Sequence, residues 1–564
     1  MAFQISPGVN SSELDLTTVV PSVSTTAGAY AGQFQWGPVN KRTLVTHETD
    51  LVNRFGEPDS NTATSFFSAA NFLAYGNNLQ VVRAANTGSF NASANTTVLI
   101  NNEDDYDEDY IAVSNTQSFV ARYPGALGNS LKVSVCSANT ANVSAAFSAW
   151  AYKGYFNAAP NTSTFAASAG GAYDQMHVIV IDEDGLFSKG AKNTVLEVFP
   201  YLSKATDAKT DDGSPAYYRT VIRNTSKYIY ALGPVDAANT EATWDQDALN
   251  VSFVGLPENT TVSLASGATK AVTTADATGA WDQFSNADVV DVSLLISGDA
   301  GTTVQQSVID LASTRKDCVA FVSPQYSDVV GNADPATAIQ TWASTTLGRA
   351  TSYAFADSGW KYQFDKYNNV YRWIPLNGDT AGLCVRTDQT RDPWFSPAGY
   401  ARGAVKNVVK LAWNPNQAQR DNIYSVGVNP VVSFPGQGTI LYGDKTLLTQ
   451  PSAFDRINVR RLFIVLEKAI ANASKFSLFE LNDEFTRAQF ISLVEPFLRD
   501  VKGRRGIYDY RVVCDTTNNT AQVIDTNRFV GDIYIKPARS INFIQLNFVA
   551  VRSGVSFNEI VGSV

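Results

Sequence analysis

Between Asp291 and Phe355 short apolar strings alternate with segments of helical periodicity, and this alternation restricts the possible folds more than any other feature. "VDVSLLISG" has the make-up of a buried strand and "TTVQQSVIDLAS" that of a helix. "DCVAFVSP" repeats the strand and "DPATAIQTWASTTLG" the helix. Short apolar runs bounded by turn residues suit buried strands, and intervening helices supply the layers that cover them. The expected class is α/β, within a multidomain α+β chain.

At 564 residues the chain exceeds one ordinary core, so several domains are expected. Hydrophobic residues make up 44% and charged residues 17%, which provides for packed cores and excludes a largely disordered chain. The net charge of −10 argues against a nucleic-acid coat or a general membrane-surface binder. The four cysteines (Cys136, Cys318, Cys384, Cys514) are far apart and form no CxxC pair. They read as reduced thiols of a chain made in a cytoplasm, with no zinc site. "MAFQISPGV" lacks a basic n-region and a long apolar h-region, and no apolar run reaches the ~18 residues of a membrane span. Neither signal-peptide secretion nor membrane insertion is expected.

The first residues read as an extended arm, with Leu14 and Leu16 alternating with polar neighbours before Pro21. "ETDLVNRFG" is a short helix ended by Gly56, "TATSFFSAANFLAYG" a helix ended by Gly76, and "LQVVRA" a buried strand. Residues 86–118, 137–170 and 205–285 are rich in small and polar residues and read as loop-rich, strand-containing surface regions. The acidic run from Glu103 to Asp109 lacks the glycine and terminal Glu of a calcium loop, and reads as a solvated loop. Near the C-terminus come a helix, "DEFTRAQFISLVEPFLRD", and the strands "YDYRVVCD", "RFVGDIYIKPA" and "INFIQLNFVAV". The tail has Val555 and Phe557 alternating. Both termini resemble strands without a sheet of their own.

Catalytic chemistry is scarce. The two histidines, His47 and His177, lie outside any HExxH or triad pattern, and no GxSxG elbow occurs. "SGDAGTT" (Ser297–Thr303) lies between a strand and a helix but matches neither phosphate-loop pattern, so it reads as a plain turn. The carboxylates of "IDEDGLF" read as turn residues before Gly185. No catalytic residue, cofactor site or metal site is assigned. In "SAFDRINVRRLFIVLEKAI", Ser452 and Asp455 have capping-box spacing. Val459, Leu462, Phe463, Leu466 and Ile470 mark a buried helical face. Arg456, Arg460 and Arg461 oppose the macrodipole at that helix start, which calls for carboxylate partners in this subunit or a neighbour.

Several long strings resemble the tail sheath family of contractile-tailed, T-even-like bacteriophages. They include "AGQFQWGPVNKRTLVTHETDLVNRFGEP", "RYPGALGNSLKVSV", "YQFDKYNNVYRWIPLNGDTAGLCVRTD", "FDRINVRRLF" and "IKPARSINFIQLNFVA". The resemblance spans residues 1 to about 552 and departs from larger members at 86–118 and 137–170. It implies a non-enzymatic virion protein, assembled in the host cytoplasm as hexameric rings stacked helically around a tail tube. Contraction of the array then drives the tube through the host envelope. The implied partners are further copies of the chain, the tube protein, and baseplate and tail terminator proteins, without direct nucleic-acid contact or membrane insertion.

Its implied architecture is an N-terminal arm (1–25), outer and middle domains (26–345), a conserved C-terminal α/β sheath domain facing the tube (346–552), and a C-terminal arm (553–564). The arms, through Glu13, Leu14, Asp15, Leu16, Val555, Phe557 and Ile560, are expected to complete neighbours' sheets. Arg487, Arg499, Lys502, Arg504 and Arg505 are the tube-facing candidates. Asp455, Arg456, Arg460 and Arg461 are the candidates for ion pairs at domain or subunit interfaces. A sheath of a bacteriocin or secretion machine, a surface-layer or tail-tube protein, and an α/β enzyme are the alternatives.

Overall fold

The computed structural model describes residues 23–94, 97–111, 118–139, 143–236, 243–256, 258–542 and 544–545. The arm residues Glu13, Leu14, Asp15, Leu16, Val555, Phe557 and Ile560 lie outside them. The first strand, β1 (Gly28–Gln33), is followed by β2 (Thr43–Val45), the helices α1 (Glu48–Phe55) and α2 (Ala63–Leu73), and β3 (Leu79–Ala84). β3 lies parallel to β1, with Gly28 opposite Leu79, and β2 closes that edge antiparallel. After Ala84 the chain leaves this sheet for about two hundred residues and builds an outer unit.

The outer unit begins with a short helix, α3 (Glu103–Asp109). Three long strands and a short one follow: β4 (Leu131–Ser137), β5 (Gln175–Asp182), β6 (Thr194–Ser203) and the short β7 (Thr260–Ser263). They form an antiparallel sheet in the order β6-β5-β4-β7. Their inward residues pack with Trp36, Tyr218 and Trp244 into a core separate from that of the first sheet.

The chain then returns to the first sheet. β8 (Leu294–Ile296) pairs with the free side of β1, α4 (Thr302–Arg315) crosses over, and β9 (Val319–Val322), β10 (Ala354–Asp357) and β11 (Val428–Asn429) extend the sheet. The order is β11-β10-β9-β8-β1-β3-β2, parallel except for β2. Both faces are covered, as apolar strands in a parallel sheet require. α2 and α5 (Asn377–Thr390) cover one face, and α4 with Trp281, Trp342 and Ile339 covers the other. The division expected at 345/346 runs between β9 and β10, two hydrogen-bonded neighbours of this sheet.

α2 and α5 touch backbone to backbone. A Cβ on Gly378 would lie 2.3 Å from the Ser68 carbonyl oxygen, and one on Gly382 would lie 2.4 Å from the Tyr75 ring. The glycines in "NGDTAG" therefore permit the close crossing, at some cost in helix propensity.

The C-terminal unit is a helical hairpin, α6 (Ile457–Ser474) and α7 (Glu484–Gly503), backed by the strands β12 (Ile507–Val513) and β13 (Asp532–Pro537). Leu462, Leu466 and Ile470 of α6 meet Phe490, Val494 and Leu498 of α7, and Trp394 closes the cluster.

Candidate assembly site

The carboxyl ends of parallel strands are where doubly wound sheets place ligands. Here the polar groups at those ends bind one another. Asn377, at the start of α5, donates to the Gly298 carbonyl (2.7 Å) and to Ser323 Oγ (2.9 Å), and its Oδ1 accepts from Gly298 N. Ser323 Oγ in turn donates to Asp357 Oδ2 at 2.7 Å. Asp357 is fully enclosed, and burial pushes its carboxyl up to about 8. The Ser297–Thr303 turn is thus held by an amide of α5. The crevice beside it, about 270 Å³, is lined by Tyr30, Ser65, Thr273 and Asp299 and by no lysine or arginine. Asp182, at the end of β5, accepts from the backbone N–H groups of Gly185, Leu186, Phe187 and Ser188 and so shapes its turn. His177 is enclosed by Trp150, Phe156 and Tyr201, donating to the Ala158 carbonyl and accepting from Tyr201 N. His47 is exposed beside Thr46 Oγ1.

The acidic run differs from expectation: Glu103–Asp109 is helix α3, not a loop. Asn102 caps it by accepting from Asp104 N and Asp105 N, and carboxylates in the first turn suit the positive end of the helix. Lys41 reaches Glu103 (2.6 Å) and Asp104 (2.9 Å), while Arg223 Nε donates to Asp107 at 2.9 Å. The run therefore clasps the segment after β1 to the outer unit. No group of metal-ligating side chains occurs among the described residues.

The start of α6 also departs from its sequence pattern. Ser452 accepts from Phe454 N and caps only the single turn Ala453–Asp455. Arg456, extended at φ −118° and ψ 136°, occupies the helix N-cap without a side-chain cap. The cause is a bridge to the preceding segment: Thr446 N donates to the Asp455 carbonyl, and Arg456 pairs with Lys445. This holds residues 455 and 456 out of the helix. Val459, Leu462, Leu466 and Ile470 are buried, and Phe463 is half-buried with its ring against Phe454.

The three arginines find their partners inside the chain. Arg461 forms a two-pronged pair with Asp388 of α5, at 2.9 and 2.5 Å, with both side chains about 95% enclosed. Arg456 lies 3.9 Å from Asp444 and donates to Tyr424 Oη. Arg460, also expected to reach a carboxylate, instead donates to Ser352 Oγ and Tyr353 Oη. Its guanidinium lies between the Tyr353 and Phe454 rings, 4.2 and 4.0 Å from their centroids. Asp455 makes no ion pair among the described residues. Lys468 continues the seam with Asp291 at 2.8 Å. Sequence periodicity could not reveal these partners, because they stand on elements distant in the chain.

The tube-facing candidates separate into two groups. Arg487 is buried and donates to the carbonyl and Oδ1 of Asn482, so it presents no charge to a partner. Lys502 pairs with Asp509, and Arg504 pairs with Asp392 and Asp500 above the Trp394 ring. Arg499 and Arg505 are exposed without an ionic partner among the described residues. The most conspicuous surface of this unit is one that charge reasoning passed over. At the α6–α7 turn, Phe476, Leu478, Phe479, Leu481 and Phe485 are between 62% and 104% exposed. Nearby, β12 and β13 pair only with each other, leaving both outer edges without a partner among the described residues. Open strand edges and exposed apolar patches both mark surfaces that meet other chains.

The architecture is that of a sheath subunit. Crystal structures of sheath tail proteins from Listeria innocua (TM-score 0.54, 11% identity, 92% of this chain and 93% of that one) and Desulfitobacterium hafniense (0.53, 10%, 94% and 100%) share the fold. So does the contracted helical sheath of the anti-feeding prophage (0.51, 12%, 97% and 99%). Family profiles match residues 25–84 (tail sheath protein Gp18 domain III N-terminal region), 270–447 (phage tail sheath protein central domain) and 449–550 (phage tail sheath C-terminal domain). The tail sheath protein of Enterobacteria phage T4 is 34% identical over 99% of both chains. That of Vibrio phage KVP40 is 36% identical over 99% of this chain and all of its own. The chain belongs to the phage tail sheath family.

Proposed function

We propose that this chain polymerises as stacked hexameric rings around a tail tube and contracts to drive the tube through a host envelope. The likeness to phage tail sheath proteins along nearly the whole chain carries this reading. The residues at the heart of a doubly wound enzyme are here bound to one another, which accords with mechanical work drawn from interfaces rather than catalysis. Head-to-tail contacts that do not close build helical tubes. The terminal arms supply such contacts by adding Glu13–Val19 and Val555–Val561 to the open edges of the β12–β13 hairpin in neighbouring copies. The inner surface lies within Phe476–Gly506 and uses Arg499 and Arg505 together with the apolar turn. Baseplate and terminator proteins bound the array at its two ends, and assembly takes place in the host cytoplasm before the sheath becomes part of the virion.

Electron microscopy of the full chain co-expressed with its tube protein tests this reading. Hollow striated tubes are expected. Deleting either arm should leave folded subunits that form none, and normal tubes from both deletions would overturn the arm assignment.

A further inference from the structure

The chain leaving β10 folds at once into a hairpin, Trp360–Asp365 against Val370–Pro375, with Lys410–Leu411 as a third strand. On one face Tyr362 stands opposite Trp373, Phe364 opposite Tyr371, and Lys410 opposite Tyr362. The rings touch along that face. Tyr362 stacks on Tyr371 at 5.4 Å and meets Trp373 at 4.7 Å, while Phe364 meets Tyr371 at 5.2 Å. Lys410 Nζ lies 5.1 Å from the Tyr362 ring and 5.6 Å from the Trp373 ring. Such cross-strand pairs stabilise a hairpin, yet Phe364 and Tyr371 remain 46% and 51% exposed. Lys366 and Arg372 are matched by Glu48 and Asp365, whereas Lys410 is exposed and forms no ion pair among the described residues. Aromatic rings beside an available cation are the chemistry of a protein-docking surface.

The charge of the chain is divided in a way that suits this face. Residues 360–411 hold eight lysines and arginines against four carboxylates, whereas residues 86–270 hold eleven against nineteen. In the outer unit two loops lie side by side. Thr206 N donates to the Gln246 carbonyl at 3.0 Å, Ala248 N to Asp207 Oδ1 at 2.8 Å, and Thr206 Oγ1 to Asp247 Oδ1 at 2.6 Å. Asp211 and Asp212 follow on the first loop, held by the hydroxyls of Thr164 and Thr210. These four carboxylates are exposed and form no ion pair among the described residues, and Lys209 is the exposed cation of the two loops. Beside them Leu249, 68% exposed, projects from a turn that Val251 N closes on the Ala248 carbonyl, with Asn250 at φ 54°. An apolar knob among carboxylates is the complement of an aromatic bed beside a lysine.

We infer that these two surfaces meet between copies: the acidic loops of one outer unit dock on the aromatic hairpin face of a second copy. Leu249 seats on Tyr362, Phe364 and Tyr371, and the carboxylates of Asp211, Asp212 and Asp247 face Lys410. Each copy carries both halves, so in an array every aromatic face is matched once. The halves lie on different units, which makes the contact head-to-tail and lets it repeat without closing. The contact deepens the proposed reading and rests on it in one respect, that copies of the chain associate.

Charge exchange in the full chain tests the pairing. Lys410→Glu alone, or Asp211→Lys with Asp212→Lys, should raise the concentration needed for assembly roughly tenfold, the loss of one strong interface contact. All three sites are exposed, so the melting temperature of the subunit should not change. Combining the three changes in one chain restores opposite charges and should recover most of the loss. Unchanged assembly in the single-sided variants, or additive losses in the combined one, would overturn the inference. Cysteine cross-linking supplies a second measurement, because all four native cysteines are buried. Mild oxidation of assembled Leu249→Cys, Phe364→Cys chains should give disulfide-linked multimers in at least one assembled state, and neither single variant should. Links only within one chain, or none in either state, would count against the contact. If the interchain link and the charge rescue appear in concentrated solution but microscopy finds no helical array, the sheath reading fails and the contact stands. If arrays form and neither appears, the contact fails and the sheath reading stands.

Discussion

Replacing Asp388 with alanine removes the carboxylate that neutralises Arg461 and leaves a guanidinium enclosed between α5 and α6. Breaking a buried pair from one side costs about 3–5 kcal/mol, whereas replacing both partners with apolar side chains of similar size is close to neutral. Asp388→Ala should therefore lower stability by about 4 kcal/mol. With a slope of about 3 kcal/mol per molar urea, the unfolding midpoint falls by about 1.3 M. Arg461→Met should cost a similar amount at neutral pH, and Arg461→Met with Asp388→Leu should recover most of it.

Urea titrations followed by circular dichroism supply all the comparisons. Additive losses in the double variant would refute the account of a coupled, desolvated pair.

Gly378→Ala should destabilise the chain by about 1–3 kcal/mol, because the new methyl meets a backbone carbonyl that cannot rotate away, and a thermal melt reads the loss. His177, whose proton affinity burial lowers, stays neutral in the folded chain at pH values where an unfolded histidine takes up a proton. Stability should thus decline as pH falls below about 6.5, and His177→Phe should flatten that decline even if it lowers the plateau. Asn102→Ala should cost about 1 kcal/mol through loss of the α3 cap. Calcium or a chelator should leave the melting temperature of the unaltered chain unchanged, since Lys41 and Arg223 already neutralise Glu103 and Asp107.

Period and turn chemistry revealed what is local. Leu79–Ala84, Val319–Val322, Thr302–Arg315 and Glu484–Gly503 stand where apolar spacing and flanking glycines or caps place them. What escaped depends on distant partners. Glu103–Asp109 carries the charge density of a loop, yet an asparagine cap and cations 62 and 116 residues away make it a helix. Ser452 has the spacing of a helix cap, but the strand-like bridge through Lys445 delays the helix past Arg456. Arg487 looks like a surface cation until Asn482 folds back over it. Nothing in the sequence singles out the five exposed apolar residues at the α6–α7 turn, because hydropathy alone does not say which apolar residues lack a neighbour.

The position of the arginines bears on how a sheath built from this chain changes shape. Arg461 joins α6 to α5, Arg460 joins it to the segment entering β10, and Lys468 joins it to the residues before β8. All three contacts lie within one subunit, and the arginine contacts are desolvated. Sliding α6 against the sheet would expose or strand those charges, at several kcal/mol for the Arg461 pair alone. Under the proposed reading, α6 therefore travels with the seven-stranded sheet as one body. The difference between two assembled states must fall on surfaces that are not internally paired among the described residues: the open edges of β12 and β13, and the apolar turn. A sheath of rigid subunits joined by exchangeable strands can rotate its rings without breaking any subunit's core, and the buried arginine seam keeps that motion out of the fold.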